Sequence, residues 1–463
     1  MNDPLIHTPT RRQFLKTTAA ASALAGVSVP FVHGASDDTL QVALIGCGGR
    51  GTGAAHNAMS VTGPPVKLVA MADVYQERLD KSYKSLKTQH EDKVDVPDDR
   101  KFIGFDGYKH AMDSLKKGDI AIFTTPLAFR WVHFRYAIDK GLNVFMEKPL
   151  IADGASAKKM YAMAEESEKK GMKVGVGLMS RHSKPMQELH KRVQDGEIGE
   201  IINMRGYRMS GPLASAFSEK WPGLTDKSAP TELLWQISRF HSFLWASGGC
   251  FADFYIHHID HLCWMKNAWP IKAQTVGGRH YRYNYVDQNF DSYSVEYTFE
   301  DGSKFYMDGR CMVGALPLYS SYLHGSKGLA IVSKNGDIGT PSSTYKGQNP
   351  SRANQIWQST DTTNPYQNEW DALVSAIRTD QPHHEVKRGV DASVATGMGR
   401  MAGHTAQEIT WDDFLNCDHA FAPDADKFTM DGPPPVKCDK DGKYPVPEPG
   451  IVKKYEYQPQ DKA

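Results

Sequence analysis

The chain has 463 residues, with 54 Lys plus Arg balanced by 54 Asp plus Glu; at roughly 150 residues per domain that length predicts two to three domains. Zero formal net charge lacks the basic excess of a nucleic-acid binder, and 40% hydrophobic with 23% charged residues excludes a disordered chain. The six cysteines (Cys47, Cys250, Cys263, Cys311, Cys417, Cys438) form no C-x-x-C pair and no regular framework, so neither a zinc ribbon nor a disulfide scaffold is expected.

Thr10-Arg11-Arg12-Gln13-Phe14-Leu15-Lys16 precedes a mildly apolar stretch from Thr17 to Val32, followed by Gly34, Ala35 and the pair Asp37-Asp38. The stretch is too short and too rich in Ala, Ser and Thr to span a bilayer. Its order resembles a twin-arginine export signal, so residues 1–36 are assigned to that signal, with cleavage near Gly34 to Ser36, and no stable membrane anchor is expected. That export machinery carries folded proteins, which implies a periplasmic or extracellular destination and folding in a reducing compartment. Any cofactor has to travel inside the protein.

Leu40 to Ile45 is a short apolar run, as in a buried parallel strand. It leads into Gly46-Cys47-Gly48-Gly49-Arg50-Gly51, a G-x-G-x-x-G turn, and then a helical stretch from Thr52 to Met59. Such glycines allow a tight turn and a close backbone approach to a pyrophosphate, which the helix N-terminus then attracts. A second strand, Lys67 to Ala72, ends at Asp73, about twenty residues on, where a carboxylate accepts both ribose hydroxyls and repels a 2′-phosphate. NAD is therefore expected over NADP. Further strands are expected over Asp119 to Pro126, Asn143 to Met146 and Lys173 to Gly177, with a helix from Arg130 to Lys140. Ligands gather at the carboxyl ends of such strands, where Thr125, Pro126 and Glu147-Lys148-Pro149 fall.

These motifs, with Asp253-Phe254-Tyr255-Ile256-His257 and Asp260, Gly196 to Gly199, and Gly325 to Gly328, resemble the Gfo/Idh/MocA oxidoreductases, the family of glucose–fructose oxidoreductase and inositol dehydrogenase. The resemblance implies an α/β Rossmann N-terminal domain over 37–180 and an α+β C-terminal domain with a mostly antiparallel sheet over 181–420. It implies an NAD(P) site built from Gly46, Gly48, Gly49, Arg50, Gly51, Asp73, Thr125, Pro126, Glu147 and Lys148. It also implies hydride transfer to or from a secondary hydroxyl of a sugar, cyclitol or related polyol, and a homo-oligomer. One departure stands out: Leu127-Ala128-Phe129-Arg130 replaces the usual polar run, with Arg130 where an imidazole often lines the nicotinamide pocket.

Hydride chemistry on an alcohol needs a base for the hydroxyl proton and a cation for the developing alkoxide. By resemblance Lys148 is the cation, while His257 is the candidate base, since an imidazole accepts a proton near neutrality. Asp253 lies four residues before His257, on the same face of a helix expected over Phe251 to Met265, where it binds hydroxyls or tunes the base. Arg181 and His258 are candidate substrate contacts. His257 and His261 also have i, i+4 metal spacing, but the Glu of an H-E-x-x-H signature is missing and no metal is expected.

Strands are expected over Ile201 to Tyr207, Gln274 to His280, Tyr293 to Phe299, Lys304 to Met307 and Leu329 to Val332, with Asp301-Gly302 as a hairpin turn. Tyr281, Tyr283 and Tyr285 alternate as on a strand. Asp337 to Thr363 reads as an inserted loop, Glu369 to Arg378 and Val390 to Ile409 as helices packing back on the first domain, and 421–463 as an extended tail. Three functions stay open: a non-dissociating NAD-dependent oxidoreductase, an NAD-dependent glycosidase or lyase that oxidises transiently and eliminates, and a sugar-binding scaffold with a relic nucleotide site.

Overall fold

A computed structural model describes residues 39–460 except 281, 283, 335 and 337–340; the signal expected over 1–36 and two of the three alternating tyrosines lie outside the described residues. Six strands, β1 (Leu40–Ile45), β2 (Val66–Asp73), β3 (Lys101–Ile103), β4 (Ile120–Phe123), β5 (Asn143–Met146) and β6 (Val174–Val176), form a parallel sheet in the order β3-β2-β1-β4-β5-β6. β4 and β5 are buried at every residue, as required of strands covered by helices on both faces. The crossover helices are α1 (Gly49–Ser60), α2 (Gln76–Gln89), α3 (Gly107–Asp113), α4 (Arg130–Lys140) and α5 (Gly154–Lys169). α4 ends on Gly141 in the left-handed region, and α5 starts on an Asp153–Ser156 capping box, both cues of helix ends.

After α6 (Lys184–Gln194), the chain enters a second sheet through β7 (Ile201–Ser210). It then makes α7 (Glu232–Ser238), α8 (Leu244–Ser247), a π-helical turn at Phe251–Tyr255, and α9 (Ile256–Lys266). The strands β8 (Lys272–Gly278), β9 (Ser292–Thr298), β10 (Lys304–Cys311), β11 (Leu318–Gly325), β12 (Gly328–Ser333), β13 (Ser343–Lys346) and β14 (Gln355–Gln358) follow. Then come α10 (Pro365–Thr379), α11 (Val386–Thr405), β15 (Ile409–Thr410) and α12 (Trp411–Asn416). The sheet order is β14-β13-β12-β11-β7-β10-β9-β8-β15, antiparallel except for β7 with β10. α9 lies directly on β7: a Cβ at Gly206 would meet Leu262 at 3.3 Å and His258 Cβ at 3.4 Å.

Two expectations are corrected, and one strand is added. The span Asp337 to Thr363 is not wholly a loop, since β13 and β14 extend the sheet edge there; four-residue strands rich in Ser, Thr and Gln carry too little alternation to be recognised. β11, in Leu-Tyr-Ser-Ser-Tyr-Leu-His-Gly, escaped for a similar reason. The helix expected over Phe251 to Met265 is not a uniform α-helix, because its first turn is π-helical, a geometry that local propensity does not announce.

α10 packs Trp370, Leu373, Val374 and Ile377 into the apolar layer beneath the first sheet, where Trp370 meets Phe145 with ring centres 4.6 Å apart. The tail after α12 has no further strand among the described residues and wraps its own chain. Its Glu456 meets Arg400 of α11 at 2.7 Å and His404 Nδ1 at 2.7 Å, all buried. The same guanidinium donates to the Ala152 and Gly248 carbonyls. Burial would raise the Glu456 carboxyl, but Arg400 and His404 outweigh it and hold it at about 2, below an ordinary 4.5. The stability this carboxylate contributes is therefore fully present above pH 4.5 and lost as pH falls toward 2. Glu456→Gln, which strands a buried guanidinium, is expected to cost about 3–5 kcal/mol and to flatten the acid limb of stability, as measured by denaturant unfolding from neutral to low pH.

Candidate active site

The carboxyl ends of β1, β2 and β4 open on a cleft of about 860 Å³, solvent included. Its floor is the turn Gly46 to Gly51, and its walls include Asp73, Arg78, Thr125, Pro126 and His133. Gly46 has φ +95°, and a Cβ on Gly51 would run into the Gly46 carbonyl oxygen, whereas one on Gly48 or Gly49 would meet nothing within 4 Å. The first pair shapes the turn, and the second leaves room for a ligand. No side chain caps the N-terminus of α1, so its amides and dipole face the cleft unused. Asp73 is oriented by the Cys47 and Tyr75 amides, at 2.6 and 2.9 Å, and burial pushes its carboxyl up. A glycine cradle, an uncapped helix start and a carboxylate at the end of β2 together fit a dinucleotide.

Arg50 lines this cleft and is gripped from behind by Glu147 and by Glu369 of α10. Glu147, expected to touch cofactor, instead fixes Arg50. Glu369 was not singled out in the sequence, because its partner lies 319 residues away. Arg130 does not line the cleft as expected. It is 1% exposed and donates to the Phe123 and Thr125 carbonyls, bracing the end of β4. The imidazole in the wall is His133, one turn further along α4, stacked on Phe129 and held at about 3 by burial and then by Arg130.

The second half of the chain closes the cleft. Ile237 of α7 and Phe240 face it beside Phe105, Tyr108 and Phe129, and Tyr75 donates its hydroxyl to the Leu234 carbonyl. The tail holds this roof down. Gln236 donates to the Val436 carbonyl at 2.7 Å, Glu232 accepts from the Cys438 amide and the Tyr444 hydroxyl, and Phe428 sets its edge against Phe105, Phe129 and Trp245.

At the end of β5, Lys148 reaches across to the π-helical turn. Its Nζ donates to the Asp253 carbonyl at 2.6 Å and to the Asp253 carboxylate at 3.2 Å. The other carboxylate oxygen lies 3.2 Å from His241 Nε2, and His241 Nδ1 is 2.8 Å from Ser215 Oγ. Although burial raises Asp253, Lys148 and His241 pull it well below the usual carboxylate range. His257 follows one turn later, 8% exposed, and burial, then Lys148 and Arg208, keep it far below 6.5 and therefore neutral. The structure thus brings together Lys148, Asp253 and His257 and adds His241 and Ser215. A lone His in an irregular segment gives no sequence signal.

Arg181 and His258 are not placed for the substrate contacts expected of them. Arg181 spends its fork on Asp260, with Nη2 at 2.7 Å and Nε at 3.0 Å, and lies over Trp264. His258 is 1% exposed, packed between Tyr319 and His261. Among the described residues no cluster of three or more His, Cys, Asp or Glu could hold a metal, and no helix is long and apolar enough to cross a membrane.

Residues 40–195 match the oxidoreductase family GFO_IDH_MocA, NAD-binding Rossmann fold, and residues 8–28 match the twin-arginine translocation signal. Two curated inositol 2-dehydrogenases of Corynebacterium glutamicum are 26% identical over 101 residues, 22% of this chain. The chain spans only 29% of the length of these relatives. Aldose-aldose oxidoreductase from Caulobacter crescentus, solved with glycerol, superposes with a TM-score of 0.60 at 16% identity over 80% of this chain and 99% of that one. Scyllo-inositol dehydrogenase from Lactobacillus casei, solved with NAD(H) and scyllo-inositol, gives 0.57 at 18% over 81% and 99%. At such identities the likeness establishes the fold, in which a parallel Rossmann sheet precedes a mostly antiparallel one.

Two glycine substitutions separate the turn's roles. Gly51→Ala is expected to lower unfolding stability by about 1–3 kcal/mol through overpacking. Gly48→Ala is expected to leave the melting temperature unchanged while weakening dinucleotide binding at least ~10-fold, measured by calorimetric titration.

Proposed function

We propose, taking residues 40–195 as an NAD-binding domain of this oxidoreductase family, that the protein is an exported enzyme exchanging hydride with a secondary hydroxyl of a sugar, cyclitol or related polyol. The observation that carries this reading is the meeting of Lys148, at a strand end of that domain, with Asp253 and His257 from beneath the second sheet. A nicotinamide bound in the cleft supplies the hydride donor or acceptor. The chain's residues do the rest. Neutral His257 takes the hydroxyl proton. The Lys148 ammonium, steadied by Asp253, hydrogen-bonds the hydroxyl oxygen and stabilises the negative charge that grows there.

Asp73 supports NAD over NADP, because its carboxylate suits two ribose hydroxyls and repels a phosphate. The roof of Ile237 and Phe240, pinned by the tail, supports a dinucleotide that does not leave. The same property suits a protein that loads in the cytoplasm and works outside it. A second reading has its own support: His241 and His257 give two imidazoles beside one carboxylate, enough acid and base for an elimination after transient oxidation. In that case an aglycone leaves with no net redox. The outer face of the second sheet, with Ile202 at 58% and Val276 at 80% exposure, is offered to a second copy.

The test follows absorbance near about 340 nm of mature protein given a panel of sugars and cyclitols. Reduction that lasts until a second substrate arrives is expected; aglycone release without lasting reduction would replace it with the elimination reading. Lys148→Ala is expected to keep its dinucleotide while turnover falls by about two to four orders of magnitude. Loss of the dinucleotide in that variant would remove Lys148 from the chemistry. Phe428→Ala combined with Tyr444→Phe is expected to release nucleotide during gel filtration, whereas the parent retains it.

A further inference from the structure

Beside the reacting cluster stands a cation without a counter-charge. Arg208 lies on the inner face of β7, two residues beyond the Gly206 that touches His258 and Leu262. Strand alternation therefore aims it at the neighbouring turn of the helix beneath. Its guanidinium lies 3.7 Å from the Tyr319 ring centre and 5.9 Å from that of Phe254. Most other arginines near this sheet are matched, Arg205 by Asp308, Arg282 by Asp287 and Asp291, Arg181 by Asp260, and Arg400 by Glu456, while Arg310 on β10 donates to the Leu316 carbonyl. Among the described residues Arg208 has no carboxylate partner, and its buried Nε has no hydrogen-bond acceptor.

Ring stacking occupies the flat face of a guanidinium and leaves its in-plane fork of N–H groups free. A buried donor left unmatched costs free energy, so a fork held this way is set for an acceptor that arrives from outside. The position is relevant because Arg208 acts electrostatically on His257, as Lys148 does from the other side. Of these two cations that act on the imidazole, Lys148 is paired with Asp253, whereas Arg208 has no carboxylate among the described residues.

We infer that Arg208 is a specificity residue for an acidic substrate, a sugar or cyclitol derivative whose carboxylate takes the guanidinium fork while a neighbouring secondary hydroxyl lies between Lys148 and His257. This rests on the proposed function and deepens it by naming the substrate class. A carboxylate matches the fork in shape as well as charge, with two parallel hydrogen bonds. A neutral sugar makes no such pair with the fork and so gains nothing from Arg208. The bound carboxylate also offsets the Arg208 charge, so His257 becomes a stronger base only when the correct substrate is seated. Phosphate and sulfate esters offer the same oxyanion chemistry, and the test separates them.

Calorimetric titration of the cofactor-loaded protein compares D-glucuronate, D-glucose, glucose 6-phosphate and glucose 6-sulfate. D-glucuronate is expected to bind at least about tenfold more tightly than D-glucose. Arg208→Gln is expected to erase that difference by weakening D-glucuronate binding at least about tenfold, and Arg208→Lys to keep part of it, since a point charge lacks the fork. Equal affinities for the acid and the neutral sugar in the parent protein would overturn the inference. So would an Arg208→Gln variant that weakens both alike, tighter binding of either ester, or binding of none of the four. The parent comparison needs no variant, so a misfolded substitution leaves the inference testable. The underlying dinucleotide reading fails differently: D-glucuronate binds with the expected selectivity, yet no sugar or cyclitol ever changes the absorbance of the bound nucleotide.

Discussion

The contact between Lys148 and Asp253 is the constraint on which the site depends. It joins the carboxyl edge of the first sheet to the helix beneath the second, so neither half alone holds a complete constellation. An ammonium that donates to both a main-chain and a side-chain oxygen of one residue is fixed in direction as well as place. The π-helical turn gives Asp253 that dual presentation and leaves its other oxygen for His241. Hydrogen-bonded charge pairs shielded from water are rigid, and this one holds the Lys148 ammonium in one position.

Much of the buried charge elsewhere in the molecule is closed off by a partner charge. Arg400 is closed off by Glu456, Arg50 by Glu147 and Glu369, and Arg181 by Asp260. Each pair crosses a long stretch of sequence and ties separate elements together, as expected where an unpaired interior ion is expensive. Arg130, spent on two carbonyls, and Arg208, stacked on aromatic rings, are departures among the described residues.

Much of the first half was legible because each cue there is local. The apolar run of β1, the glycine turn, α1 and Asp73 follow one another within a single supersecondary unit, and α4 is closed by Gly141 where expected. Lys148, Asp253 and His257 were legible through motif resemblance. What stayed hidden depends on distant chain segments. Glu369, His241 and Arg208 acquire meaning only from partners or neighbours that folding delivers. Arg181 misled because nothing in its own neighbourhood shows that Asp260 has claimed it. The short strands β13 and β14 were hidden for another reason, since pairing at a sheet edge is decided by the strand alongside.

The tail also fixes a sequence of assembly. A ribosome delivers Asp73 and the glycine turn hundreds of residues before Glu456, and until that carboxylate arrives the Arg400 guanidinium has no countercharge and α7 no clasp. The roof over the cleft is thus a late product of folding, held by segments translated long after the glycine turn it covers.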